Sequence, residues 1–293
     1  MQNTGRDWNK RRWYERQEIQ KVTLDWLKSN VKPTDRDMEL LGIVSKRKLV
    51  NRSHLEIIAP SFRHLTKNRT RLINRTIRKL FDSMCLDKVH EKQELGKGNT
   101  PSILALERGG SVLLGIPHKR RIPQKKMLVN GEVKIQRHVP LIYRHTNGIN
   151  QMEVDSILFC EKHGHQIEIW EHEQSAIFKY NGEDIVFIPD VFFRLRVGEK
   201  VVDLFLEYDT GQENIRNKNK FPVIYDKVTR YQQYKKSMLW QNYSEKFPIV
   251  LLVTEDNNRI LHFNKNCKQK GIQGFGVYHE NYTKFLEHLA KMV

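Results

Sequence analysis

The sequence predicts an α+β protein, with an N-terminal winged helix-turn-helix followed by an α/β domain whose elements run α-β-β-β-α-β. Two patterns predict this class. Between residues 61 and 84, apolar residues recur at helical spacing beside a row of arginines, and strand patterns follow on either side of a polar loop. From residue 166 onward, short strands of alternating polarity predominate and turn signals separate them.

The charge balance indicates a polyanionic partner. The 293 residues include 51 Lys and Arg against 34 Asp and Glu, a formal net charge of +17. This excess favours nucleic acid or an anionic membrane surface. The longest apolar run, residues 249–253, is far shorter than the roughly 20 residues that span a bilayer. The N-terminus lacks the apolar core of a secretory signal, and three scattered cysteines fit a reducing compartment. We therefore expect a cytoplasmic protein that binds double-stranded DNA and does not bind membranes.

Two predicted helices open the N-terminal module, which we assign to residues 34–116. Thr34 is placed to cap the first of them. Asn51 or Ser53 starts a second, shorter helix that ends at Pro60. A third helix and a hairpin follow, which completes the plan of a winged helix-turn-helix.

The third helix is the predicted recognition helix. Its apolar stripe lies opposite a row formed by Arg71, Arg75 and Arg78, and residues 61–80 contain no acidic side chain. A solvated surface normally mixes both signs of charge, so this row favours DNA contact over a merely solvated face. The residues predicted to contact DNA are Arg69, Arg71, Asn74, Arg75, Arg78, Lys97, Arg120 and Arg121.

Two basic segments flank this module. Residues 1–33 form a basic arm with interleaved aromatic residues, which either stacks on nucleobases or docks on the core. Residues 117–139 carry Pro117 and Pro123 and are predicted to be a basic linker that adds phosphate contacts.

The C-terminal domain is assigned to residues 140–293. A helix is followed by a strand, then by a hairpin that turns at Asn181-Gly182 and a second that turns near Gly198. A helix that reaches about Trp240, a buried strand, a weaker strand and a terminal helix complete the order.

Three carboxylates and a lysine are the candidate residues of a metal-dependent active site. Asp190 follows a proline, and strand alternation places Glu207 and Asp209 on one face near a strand end. Lys227 lies on the following helix, in one stripe with Tyr231. In an active site, these carboxylates would bind Mg²⁺ or Mn²⁺, and Lys227 would orient the attacking water. In an inactive one, the same residues form an ion-pair network retained for structure or for DNA-backbone contact.

These motifs resemble two known groups. The C-terminal plan, with Pro189-Asp190 and the sequence at 207–209, resembles the restriction-endonuclease-like PD-(D/E)xK superfamily. Asp209 stands where that superfamily has its lysine, and Lys227 is the candidate replacement. The whole chain resembles the replication-relaxation family of plasmids and mobile elements. That likeness rests on the segments RLINRTIRKLFDSMCLDKV, ALERGGSVLLG, RHTNGINQMEVD and PD…FLEYDTG…KVTRYQQY.

Three functions are compatible with these observations. The resemblance implies a DNA-binding accessory protein in the replication, relaxation or transfer of a plasmid or mobile element, acting with a replication initiator or a relaxase. The second function is a metal-dependent endonuclease or nickase that uses Asp190, Glu207, Asp209 and Lys227. The third is a transcriptional regulator whose C-terminal domain forms a homodimer.

Overall fold

The computed structural model describes residues 22–91, 100–129, 132–211 and 224–292. The chain divides after Asn150 into two compact units. Helices and strands are mixed in both units, which confirms the predicted α+β class. The finer domain boundaries at residues 34, 117 and 140 stay predictions.

The first unit contains six helices, one antiparallel three-stranded sheet of order β1-β3-β2, and a separate antiparallel pair β4-β5, within the ranges the structure describes. The helices are α1 (Leu24–Trp26, continued by a π-helical turn at Leu27–Val31), α2 (Asp35–Arg47), α3 (Arg52–Ile58), α4 (Pro60–Arg63), α5 (Arg69–Asp82) and α6 (Arg108–Leu114). The strands are β1 (Val50–Asn51), β2 (Leu86–Val89), β3 (Ile103–Leu106), β4 (Gln124–Val129) and β5 (Glu132–Arg137).

A capping box starts α2 and also ties it to α5. Thr34 Oγ1 accepts a hydrogen bond from the Asp37 amide at 3.3 Å, and Asp37 Oδ2 accepts one from the Thr34 amide at 2.9 Å. The same carboxylate oxygen accepts from Lys79 Nζ of α5 at 2.5 Å. The helix start predicted at Thr34 is confirmed, and its cap also helps to fix α5.

The apolar stripe of α5 faces the core of this unit. Ile73, Ile77 and Leu80 are buried, and they share one cluster with Leu40 and Val44 of α2. The recognition-helix segment is therefore held by its apolar side, which leaves its opposite side to solvent.

The stretch predicted to be a basic linker contains regular structure. Within residues 117–139, strands β4 and β5 pair from Gln124↔Arg137 to Val129↔Glu132. The prolines in this stretch suggested an irregular tether. The sequence between the two strands, Asn130-Gly131, is the dipeptide that most strongly favours a two-residue hairpin loop.

The second unit is built around a five-stranded mixed sheet of order β12-β11-β10-β9-β6. Strands β6, β9 and β10 are antiparallel neighbours, whereas β10, β11 and β12 run parallel. A separate hairpin pairs β7 with β8. The strands are β6 (Gln166–His172), β7 (Ala176–Tyr180), β8 (Glu183–Phe187), β9 (Val191–Val197), β10 (Lys200–Asp209), β11 (Ile249–Thr254) and β12 (Gly274–Tyr278).

Four α-helices complete the described part of the fold: α7 (Tyr143–His163), which spans the division at residue 150, then α8 (Ile224–Ser237), α9 (Asn257–Lys270) and α10 (Tyr282–Met292). Short 3-10 turns lie at Leu239–Asn242 and His279–Asn281. The predicted hairpins are present, with positive φ at Asn181, Gly182 and Gly198 in their turns. Helix α9, whose start is capped by Asp256, was not predicted from the sequence. None of the helices within the described ranges is long and apolar enough to cross a membrane.

Candidate functional site

The candidate site lies at the end of β10, the central strand of the sheet in the second unit. Side chains alternate along a strand, so Phe205, Glu207 and Asp209 share one face. Helix α8 covers that face, because the rings of Phe205 and Tyr231 lie 5.5 Å apart between centroids.

Glu207 is bound by two side chains of α8. Its exposed fraction is 4 %. Lys227 Nζ donates to Oε2 at 3.0 Å, and the Tyr231 hydroxyl donates to Oε1 at 2.5 Å. Lys227 and Tyr231 are four residues apart, so they project from the same side of α8. The structure therefore brings Lys227 to the carboxylate, as the predicted helical stripe requires.

Asp190 lies beside this pair. Strands β9 and β10 are in register up to Val191↔Leu206, and Asp190 directly precedes that position. Asp190 Oδ2 accepts a hydrogen bond from the Tyr208 amide at 2.9 Å. Its negative charge is also one of the causes that raise the pKa of Glu207. Asp190, Glu207 and Lys227 thus converge at one strand end.

Asp209 is engaged by a residue that the sequence analysis missed. Arg259 Nη1 donates to Asp209 Oδ2 at 2.6 Å, and the exposed fractions of the two side chains are 4 % and 2 %. The Gly211 amide donates to the other oxygen, Oδ1, at 3.0 Å. Arg259 Nη2 also donates to the Gly211 carbonyl at 3.2 Å. Asp209 is therefore neutralised inside the protein.

The position of Arg259 follows from the parallel pairing of β10 with β11. Asp209 lies opposite Thr254 at the shared end of these strands. Helix α9 begins just after β11, and Asp256 caps it by accepting from the amides of Asn258 and Arg259. A basic residue in the first turn of this helix therefore points back toward the end of β10.

Burial dominates the protonation of Glu207. It raises the pKa of this carboxyl from its ordinary 4.5 to about 7. The ammonium of Lys227 lowers the pKa, and the charge of Asp190 raises it. Burial and the charge of Glu207 likewise keep the pKa of Tyr231 well above its usual range, so its hydroxyl stays a hydrogen-bond donor.

The carboxylates do not fit a Mg²⁺ or Mn²⁺ shell in this arrangement. Such ions need ionised oxygens that are available to coordinate. Both oxygens of Glu207 and both of Asp209 already accept hydrogen bonds, as does one oxygen of Asp190. Across residues 22–91, 100–129, 132–211 and 224–292, no three His, Cys, Asp or Glu residues are grouped to hold a metal ion.

The predicted DNA-contacting residues fall into different environments. The side chains of Arg71 and Arg75 are exposed on α5 and make no hydrogen bond or ion pair with the residues that the structure describes. Arg78 is exposed, and its Nε lies 3.7 Å from Oδ2 of Asp82. Arg120 is exposed and Arg121 is half-buried, both just before β4. Lys97 lies outside the described residues.

Two of the predicted DNA-contacting residues make hydrogen bonds to other elements of the protein. The guanidinium of Arg69 donates to the backbone carbonyls of Arg63 and Leu65, at 2.7 Å and 3.1 Å from Nη2. Asn74 Oδ1 accepts from Arg52 Nε at 2.7 Å. Arg69 thus joins the end of α4 to the start of α5, and Asn74 links α5 to α3.

Residues 41–250, more than two thirds of the chain, match the model of a family described as Replication-relaxation. The chain belongs to the replication-relaxation family. The family match covers α5 and the residues Asp190, Glu207, Asp209 and Lys227, whereas Arg259 lies beyond it.

Two further comparisons add little to the family assignment. No curated protein matches the chain. Among solved structures, the crystal structure of protein VC1899 from Vibrio cholerae aligns with 96 % of this chain and 56 % of its own, at 11 % identity and a TM-score of 0.32. The chain thus spans little more than half of VC1899, and similarity at this level supports no assignment.

The raised pKa of Glu207 predicts a specific dependence of stability on pH. The folded protein holds this proton more tightly than the unfolded chain, so the associated stability is full below pH 4.5 and is lost as pH rises through about 7. We expect the free energy of unfolding of the wild type, relative to Glu207→Gln, to fall by on the order of 2 kcal/mol between pH 5 and pH 9.

Urea unfolding at a series of pH values measures this difference. Glu199→Gln is the matched control, because Glu199 is exposed in the turn between β9 and β10. The Glu207→Gln difference from the wild type should vary with pH more strongly than the Glu199→Gln difference. A Glu207→Gln difference that varies no more than that of the control would contradict the assigned protonation of Glu207.

Proposed function

We propose that this replication-relaxation protein binds duplex DNA through α5 and acts as an accessory factor in the replication, relaxation or transfer of a plasmid or mobile element. The observation that carries the proposal is the exposed pair Arg71 and Arg75, which make no ion pair with the described part of the chain. Guanidinium groups of this kind neutralise phosphates and donate to base edges.

The surroundings of α5 support its use as a recognition helix. Helices α3 and α4 precede it, residues 64–68 connect them to it, and the antiparallel strands β2 and β3 follow. This is the order of a winged helix-turn-helix, whose last helix enters the major groove. The segment that corresponds to the wing, with Lys97, lies outside the described residues.

Helix α5 is also held firmly enough to present a fixed surface. Lys79 reaches the buried carboxylate of Asp37 on α2, Arg69 binds carbonyls at the end of α4, and Asn74 is linked to Arg52 of α3. These contacts lie at the start, the middle and the last turn of the helix. A helix that is already fixed at several points loses less conformational entropy when the protein binds a partner.

The second unit supports a role without cleavage. Its strand order and its Asp190, Glu207 and Lys227 are compatible with a restriction-endonuclease-like ancestry. The hydrogen bonds of Glu207 and the ion pair of Asp209 with Arg259 use the oxygens that a metal ion would need. We propose that this unit docks a partner such as a replication initiator or relaxase, or adds DNA contacts.

One observation favours an endonuclease as the second candidate. Lys227 reaches Glu207 beside Asp190, which is the convergence that the cleavage chemistry requires. In an active enzyme, a metal ion at Glu207 would have to compete with the hydrogen bonds from Lys227 and Tyr231. Tyr231 is almost fully buried, so displacing it would disturb the core around it.

The DNA-binding proposal predicts the effect of removing the two arginines. Arg71→Ala combined with Arg75→Ala should weaken binding to duplex DNA, because two phosphate contacts are lost. The slope of log K against log salt concentration should become shallower by about 2. Fluorescence anisotropy with labelled plasmid-origin DNA at several salt concentrations measures both quantities.

A matched control removes two arginines elsewhere in the same unit. Arg108→Ala combined with Arg144→Ala changes the net charge equally, at exposed positions outside α5. It should leave most of the affinity intact. Equal losses for both double variants would show that the effect comes from net charge, and unchanged affinity in Arg71→Ala with Arg75→Ala would refute the recognition-helix assignment.

The proposed absence of cleavage is tested with supercoiled plasmid. We expect no nicking above a buffer control when the protein is incubated with Mg²⁺ or Mn²⁺, because the described residues include no group of three possible metal ligands. Gel electrophoresis of the wild type, Asp190→Ala and Lys227→Ala gives the result. Nicking by the wild type that disappears in both variants would establish the endonuclease instead.

A further inference from the structure

The β4–β5 ribbon (Gln124–Val129 with Glu132–Arg137) is fixed to the first unit at its base. Asp87 of β2, which is 2 % exposed, accepts from Gln124 Nε2 at 2.7 Å and from Arg137 Nε at 2.6 Å. Gln124 and Arg137 are the first cross-strand pair of the ribbon. Ile122, just before it, is buried in the core. The root of the ribbon is therefore rigid.

Beyond its base the ribbon is exposed on both faces. Lys126 and Leu128 point to one face together with Ile135, and Lys125 and Met127 point to the other. All five are exposed, and the exposed fraction of Leu128 is 74 %. An isolated two-stranded ribbon is marginally stable in water, and exposed apolar side chains increase the cost. A partner that covered the exposed apolar side chains of the ribbon would remove this cost.

The charge of this segment fits a polyanion. Residues 117–139 contain seven Lys and Arg residues and a single acid, Glu132. Lys125 and Lys126 are exposed and make no ion pair with the described residues. Strong positive charge around exposed apolar side chains is the composition of arms that grip DNA and place an apolar side chain against the bases.

The position of the ribbon places it next to the proposed DNA-binding helix. Arg137 lies over the ring of Phe81 in the last turn of α5, at 5.7 Å from the ring centroid. The face that carries Arg137 at the base is the same face that carries Ile135 and Leu128 further out. Six residues of strand extend about 20 Å, so the ribbon can reach DNA beyond the segment that α5 covers.

We propose that the β4–β5 ribbon is a second DNA-contacting element, in which Lys125 and Lys126 bind phosphates and Leu128 lies against the bases and bends the duplex. This inference rests on the proposed DNA binding by α5. It adds an arm that lengthens the protected DNA and deforms it, which α5 alone would not do.

The test uses the full-length protein with a duplex that carries donor and acceptor dyes at its ends. Lys125→Ala combined with Lys126→Ala should raise Kd about ten-fold and make the salt slope shallower by about 2. Leu128→Ser should leave the salt slope unchanged and lower the energy-transfer efficiency that reports bending. Hydroxyl-radical footprints of both variants should be shorter at one end.

Matched controls come from the second unit. Ile177→Ser replaces an equally exposed residue, at 71 %, on the β7–β8 hairpin, and Lys284→Ala with Lys291→Ala removes two exposed lysines from α10. Neither should alter bending or shorten the footprint. The thermal unfolding of every variant should match that of the wild type, because each substituted side chain is exposed.

The outcomes separate the two proposals. If Arg71→Ala with Arg75→Ala weakens binding but the ribbon variants bind, bend and protect DNA like the wild type, the ribbon inference fails and DNA binding by α5 stands. If the wild type binds no duplex DNA, both fail. If Leu128→Ser instead dissociates a dimer in sedimentation and leaves DNA bending unchanged, the ribbon contacts a second copy and the inference is overturned.

Discussion

The second unit depends on neutralising the buried carboxylates at the end of β10. Glu207 and Asp209 sit on the central strand, where an unpaired charge would cost several kcal/mol. Arg259 of α9 supplies the compensating cation for Asp209, and Lys227 of α8 offsets part of the cost of burying Glu207, whose pKa is still raised to about 7 by burial. Both helices must therefore stay docked against the same face of the sheet, and the register of β10 with β11 must hold so that α9 starts beside Asp209.

The same constraint ties the candidate site to the packing of the second unit, because the carboxylates of β10 are held by side chains of α8 and α9. A metal ion at these oxygens would compete with the hydrogen bonds that they accept from Lys227, Tyr231 and Arg259. In the first unit, the side chains of Arg71 and Arg75 are exposed instead of buried, and they make no ion pair with the described residues. Acidic groups thus contribute to packing in one unit, and basic groups are available for a polyanion in the other.

The sequence predicted the elements with strong local periodicity. The stripe of α5, the cap at Thr34 and the alternation along β10 are local signals, and the structure contains each of them. The pairing of Asp209 with Arg259 could not be predicted, because fifty residues separate them and only the parallel strand register brings them together. The β4–β5 ribbon was missed for another reason, since Pro117 and Pro123 suggested a linker while Asn130-Gly131 signalled a hairpin.

We expect the protein's own side chains, rather than a metal ion, to stabilise the carboxylates of Glu207 and Asp209. Calorimetric titration of Mn²⁺ into the wild-type protein and into Glu207→Gln would measure metal binding at this position. Neither protein should show saturable binding at millimolar metal, and added Mn²⁺ should not raise the midpoint of thermal unfolding. Saturable binding to the wild type that is lost in Glu207→Gln would contradict this expectation.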